Sequence, residues 1–296
     1  MSQVPLLFNL SAHPLGAPLA IALGAEAGHL AQRRFPDGES YLRVDDAVAG
    51  RDCIILIDLA HPDPQVLPLV FLAETLREFS ARQVGLVAPY LSYMRQDARF
   101  NAGEAVTSVI FARQVSRMVD WLITVDPHLH RHPSLDAIYS IPSRVVQGAE
   151  LLGQWLADQK NLLLVGPDSE SEQWVSAIAA RSGHPWVVGS KQRLGDRQVV
   201  VTLPDLTLWR ERTAIIIDDV ISSGQTVLQC MAALQQQSFA QISCACVHGL
   251  FADGVDHVLR QSGLHMLIST NTIPHATNAL DISPLLVGPI RDLLPR

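Results

Sequence analysis

The chain has 296 residues, with 22 Lys plus Arg against 29 Asp plus Glu, and its formal net charge of −7 excludes the basic excess that nonspecific nucleic-acid or anionic-membrane binders need. Its length suits two ordinary domains, each with a real core. Charged residues are 17% of the chain, below the roughly 25% of ordinary soluble proteins, and the mean hydropathy is +0.19, so buried sheet and self-association, as a dimer or larger homo-oligomer, are expected.

Short runs of Val, Ile and Leu alternate with amphipathic stretches, the pattern of strands buried on both faces and covered by helices. In chain order the spacing predicts strands at 53–59, 84–88, 121–125, 162–165, 186–188, 213–217 and 243–247. Helices are predicted at 65–79, 105–118, 170–181 and 226–236. The class is α/β. A weak internal repeat sets 84–88, Thr107, a helix and a strand ending at Asp126 beside 215–217, Thr226, a helix and a strand ending at Val247. Two related domains follow, divided at the turn-rich segment 139–144: 1–142, with 283–296 packing back on it, and 143–282. Cys53, Cys230, Cys244 and Cys246 lie in apolar stretches without metal spacing and read as reduced and buried, which suits the cytoplasm. No Lys or Arg precedes Arg33 and no apolar run reaches membrane-spanning length, so neither export nor an anchor is expected.

The segment TAIIIDDVISSGQT, 213–226, carries the densest chemistry. A buried strand ends in Asp218 and Asp219 and passes through Ser222, Ser223, Gly224 and Gln225 to a helix near Thr226. Hydroxyls and amides at a helix start suit a phosphate, while paired carboxylates suit vicinal hydroxyls or a metal. An ordinary turn with solvated acids is the competing reading; it is weakened because carboxylates at the end of a buried strand are costly without partners, and such strand ends bind ligands in open α/β sheets.

This segment resembles the phosphoribosyl-diphosphate (PRPP) motif shared by type I phosphoribosyltransferases and ribose-phosphate diphosphokinases, the PRPP synthetases. Further blocks resemble the synthetases specifically: Arg34 to Glu39 (RFPDGE), Pro89-Tyr90 to Tyr93, Arg95-Gln96-Asp97 to Glu104, Thr124 to His128 (TVDPH), Asn271 to Pro274 and 281–286 (DISPLL). The motif 126–130 (DPHLH), Gly166-Pro-Asp168-Ser-Glu170 and Ser222 look closer to the archaeal-type branch than to the common bacterial one. The resemblance implies two related phosphoribosyltransferase-like domains, each a mostly parallel sheet flanked by helices. It implies transfer of the diphosphoryl group of Mg-ATP to the C1 hydroxyl of ribose 5-phosphate, giving PRPP and AMP. The alternatives are a noncatalytic regulatory homologue, suggested by Gln225, and a type I phosphoribosyltransferase that consumes PRPP.

Each block also has a reading of its own. Phe35 offers a ring for base stacking, and Asp37 and Glu39 can accept from an adenine amino group; taken alone, the stretch reads as a hairpin-like turn. In the family this loop reaches the ATP of a neighbouring subunit. Arg95, Gln96 and Arg99 suit polyphosphate, with Asp97 in the same ATP-side block and a solvated loop as the competing reading. Asp126, His128 and Asp168 follow strands and suit Mg2+ held through water and substrate phosphates. The resemblance makes His128 a contact of Mg-ATP and places Asp168 by the second metal and diphosphate. His130 and His132 have no thiolate set to complete a zinc site.

Only two residues are lysines. Lys160 sits at a helix end, where a cation favours the macrodipole. Lys191 follows a strand in Gly189-Ser-Lys-Gln-Arg193, and the resemblance makes Lys191 and Arg193 the catalytic cations of a loop that also holds Arg197. Three departures stand out: Gln225 replaces a family glycine, Ser222 replaces the loop Asp, and 169–172 replaces a glycine-rich diphosphate loop. Gln225 would strain the loop if its position required φ > 0.

Overall fold

In a computed structural model that describes residues 3–193 and 199–295, the chain divides into two compact units, Met1–Val146 with Ile282–Arg296, and Gln147–Asp281. The first unit runs β1 (Leu6–Asn9), α1 (Gly16–Leu23), β2 (Glu26–Ala27), β3 (Leu30–Arg34), β4 (Ser40–Val44), β5 (Asp52–Leu56), α2 (Asp63–Glu78), β6 (Gln83–Ala88), α3 (Thr107–Met118), β7 (Trp121–Val125) and β8 (Ser143–Val146). The sheet order is β2-β1-β5-β6-β7-β8, and every pairing in it is parallel. β5 and β7 are buried at every position, which explains why they are apolar apart from Asp52 and Thr124. Leu69, Leu72 and Leu76 of α2 and Phe111 and Val115 of α3 join Phe8, Ile55 and Leu86 in one core. Gly85 of β6 lies under the Trp121 ring, and a Cβ there would fall 1.9 Å from it.

The second unit runs α4 (Ala149–Ala157), β9 (Leu162–Gly166), α5 (Glu172–Ser182), β10 (Trp186–Val188), β11 (Ser190–Arg193), β12 (Val199–Thr202), β13 (Thr213–Ile221), α6 (Gln225–Gln236), β14 (Ile242–Gly249), α7 (Val255–Gln261), β15 (Met266–Thr270) and β16 (Asn278–Leu280). Its sheet is β10-β9-β13-β14-β15-β16, again parallel throughout. Val227, Cys230, Met231 and Leu234 of α6 pack with Ile216 and Cys244 in its core. All four cysteines are free and buried. The last helix, α8 (Ser283–Leu293), belongs to the first unit, where Arg291 donates to the Ala22 carbonyl at 2.6 Å and Gln83 to the Leu293 carbonyl at 3.3 Å.

The two sheets share one order: the first two strands are reversed, and the remaining four follow in sequence. Each unit inserts an antiparallel ribbon, β3-β4 or β11-β12, between its second and third sheet strands. The repeat is therefore real, but its register differs from the expected one. β13-α6-β14 takes the place of β5-α2-β6, one step earlier than the 84–126 segment, because successive βα units of any such chain resemble one another. β13 also continues to Ile221, so Asp218 and Asp219 lie within the strand rather than after it. β5 ends at Leu56 instead of 59, since the chain there turns toward α2.

Candidate active site

In the second unit β9 and β13 are neighbours at the point where the strand order reverses, the position at which open parallel sheets bind ligands. β9 delivers Asp168 and β13 delivers Asp218 and Asp219. Asp168 caps the helical turn Ser169–Ser171, its Oδ1 accepting from the amides of Glu170 at 3.0 Å and Ser171 at 3.2 Å. Its other oxygen accepts from Lys191 Nζ at 2.9 Å, with the two side chains only 10% and 16% exposed. The ribbon thus presents Lys191 to Asp168. Burial pushes the Asp218 carboxyl well above the usual range, the charges of Asp219 and Asp168 push it further, and Lys191 opposes them. Three carboxylates therefore share the field of one ammonium. Arg193 lies on β11, but its side chain, like all of Arg197, falls outside the described residues.

Beyond Ile221 the chain forms a turn whose shape is set by the following loop. The Ile221 carbonyl accepts from the Leu250 and Phe251 amides, both at 3.0 Å, and the Ser222 carbonyl from the Ala252 amide at 3.0 Å. Gly224 has φ +66°, and a Cβ there would approach Val255 to 2.5 Å, so both conformation and space require glycine. Gln225 opens α6 with ordinary backbone, and the strain considered for it does not arise. No side chain caps α6 at Gly224, so its first-turn amides point outward beside half-buried Ser222 and Thr226 and exposed Ser223. Amides, hydroxyls and the positive end of the helix are groups suited to an anion.

In the first unit, the stretch that reads as a turn is the tip of the β3-β4 hairpin. The Phe35 amide donates to the Glu39 carbonyl at 2.8 Å, and Asp37 Oδ1 accepts from the Glu39 amide at 3.1 Å. Phe35 is 37% exposed, and the Arg33 guanidinium lies 4.3 Å from its ring centre and 4.5 Å from that of Tyr41. Glu39 and Arg34 line a cleft of about 480 Å³ with Asp63 and Phe71 of α2. Phe35, Asp37 and Glu39 form no hydrogen bond, among the described residues, to Arg95, Gln96, Asp97 or Arg99.

The segment 93–104, between β6 and α3, is a constructed loop. Tyr93 takes a left-handed backbone (φ +63°), donates from its hydroxyl to Asp63 and accepts at its carbonyl from Thr107 Oγ1 at 3.2 Å. Glu104 gathers the Phe100 amide at 2.8 Å, the Asn101 amide at 3.0 Å and the Asn101 side chain at 2.6 Å, while Arg99 Nε donates to the Glu104 carbonyl at 2.9 Å. Arg95 and Arg99 remain exposed. Asp97 is buried against Arg131 Nη1 at 2.7 Å, an arginine that sequence reasoning passed over because its partner lies 34 positions away. His128 follows β7 and Asp126, whose φ is +34°, and the facing ring nitrogens of His128 and His130 are 3.0 Å apart. His132 instead faces Ser108 Oγ at 3.4 Å.

Comparison with known proteins agrees with this architecture. The family described as the N-terminal domain of ribose phosphate pyrophosphokinase matches residues 6–118, and the phosphoribosyl transferase domain matches 134–268. A ribose-phosphate pyrophosphokinase of Methanopyrus kandleri is 30% identical over 282 residues, covering 94% of this chain and 96% of that one. The enzyme of that name from Sulfolobus acidocaldarius is 30% identical over 253 residues, covering 84% and 86%. The crystal structure of phosphoribosylpyrophosphate synthetase from Mycobacterium smegmatis superposes with a TM-score of 0.84 at 25% identity, covering 98% of this chain and 99% of that one. With two matching domains and relatives that align along nearly its whole length, the chain belongs to the ribose-phosphate pyrophosphokinase family.

Proposed function

We propose that the protein transfers the diphosphoryl group of ATP to the C1 hydroxyl of ribose 5-phosphate, forming PRPP and AMP. The observation that carries this reading is the Lys191–Asp168 pair set in the field of Asp218, beside a Gly224 turn that opens α6 without a side-chain cap. A phosphoribosyl site needs the turn and the carboxylates; diphosphoryl transfer also needs a cation to meet the moving charge.

The 5-phosphate would sit on the amides and hydroxyls of Ser222, Ser223, Gly224, Gln225 and Thr226, with Asp218 and Asp219 accepting from the ribose hydroxyls. Placed so, the C1 oxygen attacks the β-phosphorus, the bond from that phosphorus to the α,β-bridging oxygen breaks, and AMP leaves with that oxygen; the hydroxyl proton passes to solvent. Lys191 would exchange Asp168 for the transferred group, Arg193 adding a second charge. Holding both reactants in line supplies much of the remaining acceleration. ATP would be held by Arg95, Gln96 and Arg99 with Asp97 behind them, by His128, and by the stacking and acceptor groups Phe35, Asp37 and Glu39. The hairpin tip is exposed and, among the described residues, forms no hydrogen bond to the 95–99 loop, which supports a self-associated enzyme in which the tip serves a neighbouring subunit's ATP.

Three carboxylates facing one ammonium fit a hard divalent cation, because added positive charge would relieve the elevated Asp218. Asp168 and, on the ATP side, His128 are the residues that would hold Mg2+, which when bound would offset charge on the phosphates. No helix among the described residues is long and apolar enough to cross a membrane, and a cytoplasmic site of action suits the four free thiols.

Mixing the protein with ATP, Mg2+ and a panel of sugar phosphates, and measuring AMP and PRPP, tests the reading. AMP formation that requires ribose 5-phosphate and stops with EDTA is the expected result. ATP binding without AMP would favour a regulatory homologue, and consumption of added PRPP with a free base would favour a phosphoribosyltransferase.

A further inference from the structure

We infer that Arg131 is a positioning residue for ATP, acting through the buried carboxylate of Asp97 rather than by touching the nucleotide; the inference rests on the ATP-side reading above. Arg131 lies on the connection from β7 to β8, which also carries His128, and Asp97 lies on the loop from β6 to α3, which carries Arg95, Gln96 and Arg99. Arg131 Nη1 donates to Asp97 Oδ1 at 2.7 Å, so one bond ties the two connections together.

The burial of the pair is uneven, and that decides its role. The Asp97 side chain is 1% exposed and its Oδ2 has no hydrogen-bond partner, while Arg131 is 53% exposed. Among the described residues Arg131 is the only charge that compensates this buried carboxylate. A carboxylate so enclosed, half satisfied and stripped of its cation cannot stay where it is at low cost, and the loop would have to open to water. The guanidinium also lies 5.4 Å from the ring centre of Phe100, which is 61% exposed, so the same side chain rests on both ends of the segment 97–100. Between those ends lies Arg99. The rest of the loop is held elsewhere: Glu104 organises 99–101, Thr107 holds the Tyr93 carbonyl, and the Tyr93 hydroxyl donates to Asp63 of α2. Among the described residues, Arg131 is what ties the 97–100 end of the loop to the β7–β8 connection that carries His128. Because its charge is matched by Asp97, Arg131 adds little net attraction for polyphosphate; its effect is on where the exposed Arg95 and Arg99 stand.

The test is a cycle of Arg131→Gln, Asp97→Asn and the double variant, with Arg131→Lys as the conservative control. Displacement of binding groups by about an ångström costs on the order of a hundredfold. Arg131→Gln should therefore lower kcat/KM for ATP by roughly ten- to a hundredfold and weaken calorimetric binding of a nonhydrolysable ATP analogue in parallel, with ribose 5-phosphate affinity within about twofold of wild type. Arg131→Lys should recover part of the loss. In the Asp97→Asn background, Arg131→Gln should cost about threefold or less, since the buried charge is already gone. An equal loss in both backgrounds would show direct contact with ATP and overturn the inference, as would unchanged ATP binding in Arg131→Gln. A parallel loss of ribose 5-phosphate binding would show general unfolding and overturn it too. If wild-type protein makes no AMP, the functional reading fails instead, and the cycle read by analogue binding alone still decides whether Arg131 acts through Asp97.

Discussion

Replacing Lys191 by alanine is the most informative single perturbation of the proposed site. The ammonium is 2.9 Å from Asp168 Oδ2 in a nearly enclosed setting, so its removal has one consequence for catalysis and another for the fold. For catalysis, a preorganised donor to the developing charge is worth about 3 to 4 kcal/mol, which at about 1.4 kcal/mol per decade is a loss of roughly a hundred- to a thousandfold in kcat. For the fold, losing a hydrogen bond between charged partners costs about 2 kcal/mol, moderated here because Asp168 keeps its bonds to the Glu170 and Ser171 amides. In the proposed mode ribose 5-phosphate would rest on the turn 222–226 and on Asp218 and Asp219, whereas Lys191 bonds to Asp168, so its affinity should change by no more than about threefold. Initial rates of AMP formation at saturating substrates, urea unfolding and calorimetry with ribose 5-phosphate separate the three quantities. Turnover near that of wild type would remove Lys191 from the mechanism. A loss of ribose 5-phosphate binding as large as the loss of rate would mean that the ion pair builds the pocket and does not serve the chemistry.

Gly224→Ala combines about 1 to 2 kcal/mol of left-handed strain with about 1 to 3 kcal/mol of overpacking against Val255, so urea unfolding should report a loss of roughly 2 to 5 kcal/mol; adding Val255→Ala should relieve the clash and leave the strain. Gln225→Gly should lower stability by about 0.5 to 1 kcal/mol, because the position is ordinary helix backbone, and a stabilised variant would contradict that geometry. His29 bonds to Asp46 Oδ1 at 3.0 Å, and this bond and the aspartate's charge raise its pKa above 6.5. Partial burial pushes the Asp46 carboxyl up, but the bonds and charge of His29 outweigh it and bring its pKa below 3.8. The contribution of His29 to stability is fully present below its unfolded pKa and fades as pH rises through the raised folded value; that of Asp46 fades as pH falls through its depressed value. An NMR titration should place the His29 midpoint above 6.5, and Asp46→Asn should bring it down; an unmoved midpoint would refute the pairing.

Much of this protein follows from the chain alone, for reasons of period and cost. Short, largely apolar runs such as 121–125 announce strands buried on both faces, and β7 occupies those residues. Helices α2, α3, α5 and α6 start within two residues of their expected positions, since amphipathic spacing over several turns is a strong signal. The short strands β1, β2, β8, β15 and β16 and the two ribbons were not legible, because runs of two to five residues with mixed polarity gain their stability from neighbours distant in sequence. The same holds at the site. Asp218, Asp219 and Gly224 sit within one contiguous stretch and could be read together, whereas the bonds Lys191–Asp168 and Arg131–Asp97 span 23 and 34 positions. Length, low charge and scarce lysine determined that any anionic ligand of this acidic α/β chain must be met by a few placed cations. Which carboxylate each cation faces, and that Gly224 rather than residue 225 bears the left-handed turn, was decided only by the folded chain, where parallel strands bring separate loops to one edge of a sheet.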